Sequence, residues 1–262
     1  MQRVWIALEE KGLKYEYREV NPYQKVRRRT TASRAPRRAS LVLLAERPSL
    51  THPTLCCHTQ EPHFLAINPK GLVPALEHHD KALYESLVLL EYLDDAFPSP
   101  RSLRPTDPHE LGLVRLAVQH ISNVVVPAFY RYVQAQEPEK QRDGHDAFVA
   151  ALRDVQAQWF VGEGAPWARG DHFGWVEAVL GPWVARFALL EQHRGFSASD
   201  VGDEFAMWAQ RVLERPSVKA TSSLPENYES VYRYAPASLS PPRALESRRT
   251  LLRHPARAQA LL

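Results

Sequence analysis

The spacing of hydrophobic and polar residues predicts that the chain opens with an amphipathic helix. Apolar residues recur on one face of a helix that ends at Gly12, and the charged residues Arg3, Glu9, Glu10 and Lys11 lie largely on the opposite face. Apolar and charged residues then alternate over positions 13–20, which predicts a strand.

The region up to residue 98 continues with short elements of both kinds. In chain order we expect a short helix at 62–67, strands at 72–77 and 82–84, and a helix at 86–96 with Ser86 as its N-cap. Pro74 lies inside the first of these strands. Because proline cannot donate to a strand ladder, it must occupy an edge or a special turn, where a cis peptide bond is possible.

From Asp107 onward the pattern is helical. Asp107 is placed to cap a helix that has Pro108 at its first position and reaches about residue 136, with a kink at Pro127. Further helices are expected at 147–160, 175–190, 205–214 and 226–233, and the 175–190 helix is apolar nearly all round, which predicts burial on most sides. The pattern thus predicts a mixed α/β domain at 1–98 and an all-helical domain at 107–235.

Composition and charge narrow the class of protein. The 262 residues are 44% apolar and 24% charged, which is typical of a soluble globular protein. We find no apolar run long enough to cross a bilayer and no secretory leader, so we expect a cytoplasmic protein without a membrane partner.

The chain has a net charge of +3, and its positive charge is concentrated in two segments. Residues 26–60 contain seven arginines against Glu46, and residues 236–262 contain five against Glu246. Both segments lack periodicity, so we expect a disordered insert and a disordered basic tail, although residues 41–46 could form a helical turn or a short strand. Neither segment has the interleaved aromatics of a nucleic-acid site, and no nucleic-acid partner is expected.

The two cysteines, Cys56 and Cys57, are adjacent and lie within the insert. With His52 and His58 they are four potential zinc ligands, but they lack a C-x-x-C arm or a second pair at a zinc-site spacing. We therefore expect exposed thiols and no metal site.

Three sequence blocks carry a resemblance to a known family. They are NPKGLVPAL at 68–76, LYES at 83–86 running into LEYL at 90–93, and RPSVKAT at 215–221. Together they resemble the cytosolic glutathione transferases, and the opening QRVWIALEEKGLKYEY with NPYQK at 21–25 is similar to the omega-like branch, particularly its fungal members. The resemblance implies a thioredoxin-like N-terminal domain of β-α-β-α-β-β-α order, an all-α C-terminal domain, and usually a homodimer.

The resemblance also implies a set of glutathione-binding residues. In such a fold Val73 precedes a cis proline and pairs its main chain with the cysteinyl part of glutathione, while Glu85 accepts from the ligand's ammonium. Ser86 would donate to the γ-glutamyl carboxylate at a helix N-terminus. The implied residues are Lys25, on the glycyl carboxylate, with Leu72, Val73, Pro74, Glu85 and Ser86. Outside that fold, Ser86 would be simply an N-cap and Glu85 a solvated charge.

The implied activity is glutathione conjugation or glutathione-dependent thiol reduction, with a small hydrophobic or thiol-containing second substrate. Phe129, Tyr130 and Arg186 are candidates for the pocket that holds this acceptor substrate, and packing is the competing role for each. The alternative function is a non-catalytic protein that binds glutathione or a hydrophobic ligand.

Two departures from the family pattern affect these expectations. The family's first strand and reactive Cys or Ser lie upstream of the helix that begins here at Met1, so we expect a missing strand, lower stability, impaired activity and no catalytic residue in this chain. Residues 26–60 also separate Lys25 from Glu61, which the family pattern would join. Because Val codons begin with GT and one Gln codon is CAG, we hypothesise that Val26–Gln60 is a retained intron, and more weakly that the tail is too.

Overall fold

The computed structural model describes residues 1–19, 41–45, 62–79, 81–98, 102–162, 164–224 and 227–228. The N-terminal half comprises α1 (Gln2–Lys11), β1 (Glu16–Glu19), β2 (Leu41–Ala45), α2 (Pro62–Ile67), β3 (Ala75–His78), β4 (Lys81–Tyr84) and α3 (Ser86–Ala96). The helical half comprises α4 (Pro108–His120), a π-helical segment (Ile121–Val125), α5 (Val126–Gln134), α6 (Pro138–Trp159), α7 (Trp175–Val184), α8 (Phe187–Arg194), a 3₁₀ turn (Ala198–Asp200), α9 (Asp203–Glu214) and α10 (Pro216–Thr221). A mixed sheet with helices followed by an all-helical half agrees with the predicted fold class.

The sheet has the order β1-β2-β3-β4, and β2 comes from the segment expected to be disordered. β2 pairs in parallel with β1 and antiparallel with β3, so that Leu43 lies between Tyr17 and Leu76. The expectation of disorder is therefore wrong for Leu41–Ala45, and the short-strand alternative is correct. Consecutive apolar residues suit a strand that has neighbours on both sides and buried faces.

The position of β2 bears on the prediction of a missing first strand: among the described residues no strand precedes α1, but β2 gives β1 a neighbour inside the sheet. Its parallel pairing with β1 is the pairing that two strands of a β-α-β unit have, although β2 follows β1 in the chain instead of preceding α1. The rest of the insert, with Lys25, Cys56 and Cys57, lies outside the described residues, as does the predicted tail at 236–262.

Helix α1 is covered on both sides. It packs against α3 in the N-terminal half and against α7 and α10 in the helical half. Arg3 and Lys11, predicted on a polar face, are consequently only 8% and 6% exposed. Gly12 ends the helix as predicted, in the left-handed conformation with φ 62°, where its N–H donates to Glu9 C=O.

The start of the helical half follows the prediction, and a π-helical segment precedes its internal proline. The Asp107 carboxylate accepts from Glu110 N–H at 2.8 Å, and Pro108 takes the first helical position. Just before Pro127, where a kink is predicted, the chain forms the π-helical segment, in which Val126 N–H donates to Ile121 C=O five residues back.

Within the described residues, Pro108–Gln134 is the one stretch long and apolar enough to cross a membrane by length and composition. Its helices pack against α6 and α7, which makes it a layer of the helical core.

The apolar 175–190 region is two helices instead of the single one predicted, with the break at Ala185–Arg186. Nearly every residue of α7 is buried, as its pattern predicted. At its start, the Glu177 carboxylate accepts from Gly174 N–H at 2.9 Å and from Ala168 N–H at 2.8 Å. Glu177 therefore supplies its half of a capping box, although Gly174 has no side chain with which to supply the other half.

A third donor, Trp208 Nε1, reaches Glu177 at 3.1 Å and ties α9 to α7. Burial raises the pKa of the Glu177 carboxyl, and the N–H donors oppose that rise.

His145 on α6 forms a polar link to the 3₁₀ turn. Its Nδ1 lies 3.0 Å from Asp146 Oδ1, and its Nε2 lies 3.2 Å from Asp200 Oδ2. Burial lowers the pKa of this imidazole, but the hydrogen bonds to Asp146 and Asp200 outweigh burial, and the pKa is raised above its ordinary value.

This link predicts a pH-dependent contribution to stability. Because the folded pKa is the higher one, the link stabilises the protein below the unfolded pKa of about 6.5 and is lost as the pH rises through the folded value. Between about pH 5.5 and pH 8.5, wild type should lose more stability than His145→Gln, by no more than about 0.5 kcal/mol because solvent screens the pair. Urea melts at both pH values test this, and equal losses in the two proteins would contradict it.

Candidate functional site

The loop that leads into β3 presents main chain that the sheet does not use. The Val73–Pro74 peptide bond is cis, as predicted. Leu72 forms a single β-bridge, and the ladders of β3 with β2 and β4 begin at Ala75, so the N–H and C=O of Val73 lie outside the β2–β3–β4 ladder. Such groups can pair with an extended ligand that joins the sheet as a short added strand.

Asn68 fixes the shape of this loop, a role that sequence reasoning missed. Its side chain is only 2% exposed. Nδ2 donates to Leu72 C=O at 2.6 Å, and Oδ1 accepts from Lys70 N–H at 3.1 Å. The available signal was its first position in the Asn-Pro-Lys-Gly turn, where asparagine often bonds main chain two residues ahead.

Glu85 joins β4 to α3 in a rare backbone conformation. Its φ of 71° and ψ of 115° are unusual for a residue with a side chain, and such residues cluster at ligand sites. Glu85 is the N-cap of α3, so the prediction that Ser86 has this role is wrong by one residue. Ser86 instead opens the first turn, where unpaired N–H groups and the helix dipole favour an anion.

The sheet register brings these two features together. Ala75 on β3 is paired with Tyr84 on β4, so Val73–Pro74 and Glu85–Ser86 flank the same pair of residues at one end of the sheet. Of the predicted glutathione-binding residues that the structure describes, it therefore places Val73, Glu85 and Ser86 at the same end of the sheet. We call this the Val73–Ser86 site.

A lysine already occupies part of this site. Lys70 Nζ lies 2.8 Å from Glu85 Oε1, and both side chains are more than half exposed. The hydrogen bond to Glu85 raises the pKa of Lys70. The contact shows that the Glu85 carboxylate can accept from an ammonium group in this conformation.

A second group of polar residues surrounds the first turn of α1, where it meets the helical half. Gln2 Nε2 lies 3.1 Å from Ser222 Oγ, and Gln2 Oε1 accepts from Arg186 Nη1 at 3.1 Å. The Arg186 guanidinium also lies 4.4 Å from the centre of the Tyr228 ring. Arg186, predicted to line the acceptor pocket, thus makes a contact between the two halves.

The other two pocket candidates are placed differently. Phe129 is fully buried and packs edge-on against Phe148 with the ring centres 5.8 Å apart, so it faces the core of the helical half. Tyr130 is 36% exposed.

Arg3, next along α1, was predicted on a solvent-facing surface and is instead part of this group. Its Nε donates to Val179 C=O at 3.1 Å, and its guanidinium lies 4.6 Å from the centre of the Trp183 ring. Burial lowers the pKa of Arg3 to about 10, and an electrostatic interaction with Tyr130 opposes that shift.

Over the residues that the structure describes, no three His, Cys, Asp or Glu side chains are grouped so that they could hold a metal ion. Cys56, Cys57, His52 and His58 lie outside that set.

Comparison with known proteins yields consistent matches. The family model for the N-terminal domain of glutathione S-transferase matches residues 1–96. A curated relative, glutathione S-transferase U25 of Arabidopsis thaliana, is 26% identical over 235 residues, which covers 89% of this chain and 87% of the relative.

Solved structures extend the likeness to both halves. Glutathione transferase Omega 3C from Trametes versicolor is 40% identical with a TM-score of 0.70, covering 89% of this chain and 84% of that one. Rice GST1, solved in complex with glutathione, is 25% identical with a TM-score of 0.67 and covers 90% of each chain.

Proposed function

The chain belongs to the glutathione transferase family, and on that premise we propose that it binds glutathione at the Val73–Ser86 site. The observation that carries this proposal is the Ala75–Tyr84 pairing, which puts main chain outside the described sheet ladder, at a cis proline, beside a carboxylate and a helix N-terminus. Glutathione offers a matching set of groups: a peptide main chain, an ammonium and a carboxylate.

Each part of the ligand has a partner in this proposal. The cysteinyl N–H and C=O pair with the main chain of Val73, next to the exposed Leu72. The γ-glutamyl ammonium donates to Glu85 in place of Lys70, and the γ-glutamyl carboxylate accepts from Ser86 and the first N–H groups of α3. Lys25 on the glycyl carboxylate completes the proposal.

We infer that the bound thiol serves conjugation or thiol reduction of the omega-like type. The 40% identity to a fungal Omega 3C structure supports that branch, whereas the curated plant relative shares 26%. In either reaction the sulfur must be held as a thiolate, and we assign that role to no described side chain. A cytoplasmic homodimer is part of the same proposal.

Two substitutions test the binding site. Ser86→Ala and Glu85→Gln should each weaken glutathione binding about tenfold in calorimetric titration. The first removes a hydrogen bond to the γ-glutamyl carboxylate, and the second removes the negative charge that faces the ammonium. The matched controls are Ser199→Ala and Glu139→Gln. They make the same two changes at exposed positions of the helical half and should leave the affinity unchanged. The proposal would be contradicted if wild type gave no binding signal with glutathione in the calorimeter. It would also be contradicted if the control variants bound glutathione as weakly as the site variants.

Turnover separates the enzymatic functions from the binding function. With glutathione present, conjugation releases chloride from chlorodinitrobenzene, and thiol reduction consumes hydroxyethyl disulfide. Glutathione binding without either reaction would favour the non-catalytic alternative.

A further inference from the structure

Two N–H donors at the contact between α1 and α7 have no acceptor among the described residues. They are Nη2 of Arg3 and Nε1 of Trp183, and both nitrogens are shielded from solvent. Buried donors are nearly always paired because an unmade hydrogen bond is costly. Two of them on side chains that touch each other therefore point to a missing acceptor.

The charge at this position is also uncompensated. Arg3 is only 8% exposed, yet it forms no ion pair with a carboxylate in the described part of the chain. Its neighbours there are the Val179 carbonyl and the face of the Trp183 ring. Since the guanidinium is protonated at neutral pH, an acceptor that carries negative charge would satisfy both the donor and the cation.

The residue beside the guanidinium that reaches the protein surface is Tyr130. Tyr130 is 36% exposed and lies close enough to Arg3 to interact with it electrostatically. Tyr130 is also one of the residues predicted to line the acceptor pocket, so an acceptor that packs against its ring would come close to Arg3.

We propose that Arg3 and Trp183 form an oxyanion subsite of the acceptor pocket, which selects aromatic acceptors bearing a sulfonate, carboxylate or similar anionic oxygen. Arg3 supplies charge and one N–H, and Trp183 supplies a neutral N–H that can only donate. The inference rests on the proposed function, since it assigns a class of second substrate to the same protein.

A matched pair of fluorescent probes tests the subsite. Anilinonaphthalene sulfonate and phenylnaphthylamine share an aromatic skeleton, and only the first carries an oxyanion. Trp183→Phe keeps a ring beneath Arg3 but removes the N–H, so it should weaken sulfonate binding about tenfold and change binding of the neutral probe less than twofold. Trp167→Phe, in the same half but away from Arg3, is the control and should change neither.

Arg3→Met is the second variant. It should weaken sulfonate binding more than Trp183→Phe does, with circular dichroism confirming that it folds. If Trp183→Phe affects both probes equally or neither, a trapped water satisfies the donors and the inference is overturned. A different outcome separates the two proposals. If wild type binds no glutathione but still prefers the sulfonate probe in a way that depends on Trp183, the proposed function is overturned and the subsite stands.

Discussion

Replacing Leu43 by alanine should lower the free energy of unfolding by about 2–5 kcal/mol. Leu43 is fully buried at the middle of β2, between Tyr17 on β1 and Leu76 on β3. The truncation leaves a cavity in the hydrophobic core on one face of the sheet, because the hydrogen-bonded strands cannot move to fill it. Urea denaturation followed by circular dichroism measures the loss.

Leu116→Ala is the control, because Leu116 lies on α4 and is 54% exposed. Its effect should stay within about 0.5 kcal/mol. A Leu43 variant as stable as this control would show that residues 41–45 do not belong to the sheet. Deleting residues 26–60 joins Lys25 to Glu61, the sequence that the retained-intron hypothesis regards as native, and removes the interior strand β2. In the same urea melts this variant should lose more stability than Leu43→Ala.

Asp94→Ala should destabilise the protein by about 3–5 kcal/mol, because it leaves a buried lysine without its counter-ion. Asp94 Oδ1 lies 2.6 Å from Lys11 Nζ, and each side chain is 1% exposed. Asp94 Oδ2 accepts from Trp175 Nε1 at 2.8 Å, and Oδ1 also accepts from Leu103 N–H at 3.3 Å. One carboxylate thus joins α3 to α1, to α7 and to the connection between the two halves.

The adjacent residue supplies the control for this prediction. Asp95 is on the same helix, is 60% exposed and pairs with Arg104 at the surface. Asp95→Ala should cost no more than about 1 kcal/mol, since exposed ion pairs contribute little. Thermal melts of the two variants that coincide would contradict a buried role for Asp94.

Most of the elements could be predicted in order from the sequence, because they depend on local signals. Asp107 and Pro108 predict a helix start. The Leu72–Pro74 block predicts a loop with a cis peptide bond before Pro74. The N-cap of α3 was predicted one residue too late, at Ser86, because nothing in the sequence indicates the unusual backbone of Glu85.

What could not be predicted depends on packing between distant segments. Arg3 and Lys11 have the spacing of a solvent-facing stripe, but α1 is covered by α3 on one side and by α7 and α10 on the other. Likewise, Leu41–Ala45 has the composition of a strand, but only its pairing with β1 and β3 shows that it lies inside the sheet.

The π-helical segment before Pro127 sets the rotational phase of everything that follows it on α5. An α-helix advances about 100° per residue, so one residue more or less upstream turns the downstream face by that angle. Deleting Ser122 to restore regular α-helix would therefore swing Phe129 off its contact with Phe148 and turn Tyr130 away from Arg3. The extra residue in this turn therefore determines that Phe129 contacts Phe148 in the core and that Tyr130 lies near Arg3 on α1.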